Sequence, residues 1–107
     1  MIYLHALSLV NALGSDRTTL LQNWGTGTSP GLTQTDAWIV GKIPAVFACV
    51  KERLPDLSER FPRENTRNNR LLALAWEKEK GRFSTLLNRH SPDRIAIILG
   101  TIMYPIG

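Results

Sequence analysis

Apolar residues fall on both parities of the run from Ile2 to Val10, which closes at Asn11-Ala12-Leu13-Gly14. That pattern predicts a strand covered on both faces. Ser15 or Asp16 is placed to cap a short helix in which Leu20, Leu21 and Trp24 share a face and Gly25 ends the turn. Gly25-Thr26-Gly27-Thr28-Ser29-Pro30-Gly31 then reads as a connecting loop. Its glycines suggest a phosphate cradle, but a P-loop needs a Lys-Ser/Thr pair after the last glycine, and a dinucleotide fingerprint needs a strand directly before it. The segment has neither.

Two short apolar runs, Ala37 to Val40 and Ala45 to Val50, flank Gly41-Lys42 and predict a strand pair or a strand with a bent approach, with Pro44 arguing for an edge. From Leu54 to Glu64, Pro55 and Pro62 fence off a charged connector with room for one helical turn. The longest predicted element is a helix from Arg67 to about Arg89, capped by Thr66. Leu72, Trp76, Phe83 and Leu87, joined by Leu71, Ala75 and Leu86, form its apolar stripe. Gly81 costs about 1 kcal/mol relative to alanine inside a helix, so a kink or break is expected there. His90 stands at the helix end, where the macrodipole favours a protonated imidazole. Ser91-Pro92-Asp93-Arg94 turns the chain into Ile95-Ala96-Ile97-Ile98-Leu99, an uninterrupted apolar run that predicts a second buried strand, closed by Gly100-Thr101. Helix, short turn and buried strand make the second half of a βαβ crossover, for which a right-handed connection to the first strand is expected.

Composition changes this picture little. Of 107 residues, 43% are apolar and 21% charged, as in a soluble globular domain, and one domain at most is expected. A single cysteine, Cys49, excludes an intrachain disulfide and a paired-cysteine zinc site, and implies a reducing, cytoplasmic setting. Within Val46-Phe47-Ala48-Cys49-Val50 it reads as a packed core thiol. His5, alternating with apolar residues, reads as a satisfied or rim histidine. No signal peptide and no membrane helix is expected, since the N-terminus lacks a basic region and no stretch approaches ~20 apolar residues. The net charge is +4, but Glu64, Glu77, Glu79 and Asp93 intersperse the basic residues between Arg60 and Arg94. Nucleic-acid binding, which clusters cations on one face, is therefore not expected.

The succession of elements resembles the N-terminus of the β-ketoacyl-acyl-carrier-protein synthases, condensing enzymes of the thiolase-like fold. Ile2-Tyr3 running into Asn11-Ala12-Leu13-Gly14 is similar to the family's first strand and its small-residue turn. Leu20-Leu21-Gln22-Asn23-Trp24-Gly25 and Ser29-Pro30-Gly31 resemble the helix and glycine-bearing loop that follow. Thr66-Arg67-Asn68-Asn69-Arg70-Leu71-Leu72 resembles the start of the long helix, and Asp93 to Thr101 the strand after it. These last two carry the most specific part of the likeness.

The resemblance implies an α/β chain holding part of a thiolase-like fold: residues 1–101 as the truncated N-terminal part of a synthase domain, and 102–107 as a divergent tail. Family members perform decarboxylative Claisen condensation of acyl thioesters with malonyl-carrier protein in fatty acid or polyketide synthesis. Their nucleophilic cysteine and two histidines lie beyond the matched segment, so no catalytic, cofactor-binding or metal-binding residue is assigned, and the chain is expected to be inactive. Cys49 does not match the nucleophile, because it precedes the long helix and sits on no strand-to-helix elbow. Acyl carrier protein is the partner the family implies, and an uncovered sheet face predicts self-association or a homodimer. The alternative is a small non-catalytic binding protein, or a chain-length-factor-like partner of a synthase or of the acidic carrier protein. Arg67, Arg70, Lys78, Lys80 and Arg82 would face that partner, although a solvated helix face accounts for the same residues.

Overall fold

Asp16 decides where the first helix begins. Its carboxylate accepts hydrogen bonds from the Thr19 amide and the Thr19 hydroxyl, each at 2.9 Å, and so satisfies a donor that the first turn leaves free. Helix α1, Arg17–Thr26, follows. It ends not at Gly25 but two residues later, where Gly27 takes the left-handed conformation at φ 69°. That turn lets the amides of Gly27 and Thr28 reach the carbonyls of Trp24 and Asn23. The structure, a computed structural model, describes residues 1–37 and 41–101.

Beyond α1 the chain crosses itself at Gly31. Its amide donates to Ala12 O at 3.0 Å and its carbonyl accepts from the Cys49 amide at 2.7 Å. A Cβ at this position would lie 2.6 Å from Ala12 O and closer still to Cys49 O. Only glycine allows three backbone segments to meet so tightly. From this crossing runs β1, Leu32–Thr35, paired antiparallel with β2, Ala45–Ala48. Leu32 faces Ala48 and Thr35 faces Ala45. The second of the two expected strands is thus present, but its partner lies upstream of the expected one. Ala37 stands in a turn, and the rest of the run expected at Ala37 to Val40 lies outside the described residues.

The proline-fenced connector folds back on itself through side-chain amides and carboxylates. Asp56 accepts from the amide and hydroxyl of Ser58 and from Asn65 Nδ2, while Asn65 Oδ1 takes the Leu57 amide. One 3₁₀ turn, Pro62–Glu64, leads to Thr66, whose hydroxyl accepts the Asn69 amide and caps α2, Arg67–Lys78. The expected single helix is broken at Glu79, after which α3 runs Lys80–Arg89. Gly81, in the first turn of α3, accounts for a break here. Trp76 and Phe83 still stack across it, ring centroids 4.5 Å apart, so the apolar stripe bridges the two helices.

That stripe is not what the body buries. Leu72, Trp76 and Leu87 are exposed, whereas Leu74, only 4% exposed, and Leu54, at 7%, are the buried hydrophobics among the described residues. Arg70 explains the rotation: one turn before Leu74, its guanidinium donates to Pro55 O and Leu54 O at 2.8 and 3.1 Å, holding that face of α2 against the connector.

Neither expected buried strand forms. Residues 1–10 and 95–101 join no ladder, and Ile2 and Ile98 are 98% and 93% exposed. Exposure does alternate from Ala6 to Val10, as along a strand, with Ser8 pinned to α2 through its hydroxyl to Ala75 O at 2.6 Å. A 3₁₀ turn, Pro92–Arg94, precedes the second run. The β1–β2 pair closes only a short connection and is the ladder that forms.

The result is a mixed α/β chain with a two-stranded antiparallel sheet, open rather than consolidated. Its radius of gyration is 16.6 Å, against about 13 Å for a compact domain of this length. The accessible surface is 9239 Å², against about 6,000 Å² for a folded monomer of this mass. Among the described residues no helix is long and apolar enough to cross a membrane.

Candidate functional site

Three distant parts of the chain meet in one polar junction. Ser15, held by the Asn11–Gly14 turn before it and the α1 cap after it, is buried, and its hydroxyl donates to the Glu52 carboxylate. The second Glu52 oxygen receives Lys78 Nζ at 3.0 Å, from the last turn of α2. The Ser15 hydroxyl first, and Lys78 second, hold the Glu52 carboxyl below its ordinary range. Asp16 and Asp56 are lowered in the same way, chiefly by the amides and hydroxyls of Thr19 and Ser58. Carboxylates stabilised in the charged form are weak bases, so Glu52 anchors Ser15 and does not activate it. The junction is an architectural joint.

Beside it opens a cleft of about 690 Å³ between the connector and α2, lined by Arg53, Leu54, Asp56, Asn65, Arg70 and Glu77. Arg70 and Asn65 spend their donors on the connector itself, which makes this cleft the outer wall of the Leu54–Leu74 core. Among the described residues no three His, Cys, Asp or Glu side chains come together to hold a metal.

Cys49 is half-buried just after β2, rather than fully packed. Its amide, not its thiol, carries its structural role, through Gly31. His5 and His90, 85 positions apart, come together with ring centroids separated by 5.6 Å, and Tyr3 stands 6.0 Å beyond His5. Of the five cations expected to face a partner, three are engaged within the chain: Arg70 with the connector, Lys78 with Glu52, and Arg82 with Glu79 at 3.3 Å. Arg67 and Lys80 are left without such a partner among the described residues.

The main surface feature lies elsewhere. His5 meets His90 at the C-terminal end of the α2–α3 pair, and Ser8 reaches Ala75 further back, so the first run travels toward the N-terminal end of α2. The last run leaves the same end after His90 and returns until the Thr101 hydroxyl meets Asn68 Oδ1 at 2.9 Å. Both runs therefore lie along the helical pair in the same direction. Leu7, Leu9, Ile97, Ile98 and Leu99 are exposed on them. Periodicity marks both runs as apolar, but nothing in the sequence links Ser15 to Glu52 or His5 to His90, since each pairing depends on how distant segments cross.

No family model, no curated protein and no solved structure matches this chain.

Proposed function

We propose that residues 1–101 are the N-terminal part of a β-ketoacyl-acyl-carrier-protein synthase domain of thiolase-like fold, with 102–107 as a divergent tail, and that this chain by itself does not catalyse condensation. The observation that carries the reading is the parallel course of the two apolar runs along α2–α3. A βαβ unit places its two strands in this relation to its crossover helix. Sheet formation would pair their free backbone groups and cover Leu7, Leu9 and Ile97–Leu99, for which a synthase domain supplies further strands and helices. In that setting the family condenses an acyl thioester with malonyl-carrier protein. Cys49 takes no part in the reading, being half-buried after β2 and remote from any strand-to-helix elbow.

The test is a graft. Residues 1–101 replace the corresponding opening segment of an active β-ketoacyl synthase, and release of carbon dioxide from malonyl-carrier protein is followed. A soluble chimera retaining activity within about tenfold of the parent is expected. A chimera that aggregates while the parent stays soluble, or that folds without activity, would count against the assignment.

A further inference from the structure

We propose that the groove between the first run and α3 binds a soluble phosphate-bearing ligand, held by His5, Arg82, Arg89 and His90. The groove has a volume of about 250 Å³, and these four side chains line it together with Gly81, while no carboxylate does. Their hydrogen-bonding capacity is largely unspent. Arg82 commits only Nε, to Glu79, and is otherwise exposed. Arg89 has no ion pair or hydrogen-bonded side-chain partner among the described residues, and the two imidazoles meet only as rings, with His5 also touching Tyr3.

Two guanidiniums and two imidazoles drawn around one hollow make an environment for an anion with several acceptor oxygens. Guanidiniums match phosphate oxygens in forked pairs, and imidazoles donate single N–H bonds. A phosphate dianion would also offset the mutual repulsion of the cations in the groove. Gly81 lines the groove as well, and a Cβ there would meet nothing within 4 Å, so the α3 backbone is open to a ligand at this point. The site is independent of the synthase assignment and stands or falls separately from it.

The full chain is titrated with inorganic phosphate and with pyrophosphate at fixed ionic strength, following the histidine and arginine side-chain resonances by NMR. Saturable shifts of His5 and His90 are expected, with pyrophosphate the tighter ligand. Arg89→Ala and His90→Gln should each weaken binding about tenfold, while Arg60→Ala, on the connector, leaves it unchanged. His90→Gln keeps a donor and is matched to Arg89→Lys, so that a fold defect is recognised by altered circular dichroism and excluded before affinities are compared. Non-saturable shifts, equal displacement by chloride, or equal weakening by Arg60→Ala would overturn the proposal. So would binding to phosphatidylglycerol vesicles with none to soluble phosphates.

Discussion

At the scale of single residues, Gly31 and Glu52 hold segments that are far apart in the chain. Gly31→Ala sets a methyl group against two backbone carbonyls that cannot move independently. We expect a loss of about 3 kcal/mol, at the upper end of ordinary point-mutant effects, read as faster hydrogen exchange at the Gly31 and Cys49 amides. Glu52 sets a pH dependence. Its carboxyl is held below the ordinary value of 4.5 by the Ser15 hydroxyl and Lys78. Its contribution is therefore fully present above the unfolded value and is lost as pH falls through the lowered folded one. The pair is well exposed, so that contribution is below about 1 kcal/mol. Glu52→Gln should flatten this acid limb in an exchange-versus-pH series, and retention of the limb would show that Glu52 does not join these segments. Gly31 was legible as a turn residue, but its need for close approach was not, because Ala12 and Cys49 meet it only in the folded chain.

At the scale of elements, local chemistry accounts for the helices well. Asp16 and Thr66 cap α1 and α2 as their side chains predict, and Thr66→Ala should cost about 1 kcal/mol of α2 stability, seen as lost ellipticity at 222 nm. The break between α2 and α3 yields a prediction of opposite sign. Gly81→Ala meets no obstacle, so helicity should rise with a gain of about 1 kcal/mol. The same substitution should weaken phosphate in the groove, which separates a helix effect from a ligand effect. The apolar stripe through Leu72 and Leu87 is real as a pattern, but Leu74 is the side chain buried. Arg70, tied to the connector carbonyls, turns α2 onto that face, and no periodicity within one helix encodes that bond.

For the whole molecule, the surface left accessible exceeds that of a compact monomer of this mass by about 3,200 Å², far more than the ~800 Å² that each partner contributes to a standard interface. We expect the purified chain to bind a hydrophobic dye, to melt without a cooperative transition and to self-associate in light scattering. A monomer with a sharp, concentration-independent melt would contradict this. Leu7→Lys together with Ile98→Lys should raise solubility while leaving circular dichroism unchanged, since both side chains are exposed.

The amino-acid sequence by itself determined the caps of α1 and α2, the β2 strand and the apolar character of the two runs. These depend on neighbours within a few positions, whose capping, sterics and periodicity are local. Tertiary structure alone decided that Leu32–Thr35 pairs with β2, and that Leu74 rather than Trp76 is buried. It also decided that Ile2–Val10 and Ile95–Leu99 each run back along the helical pair without a ladder. Strand pairing is a relation between distant segments, and a ladder forms only where the surface it buries repays the ordering of both strands.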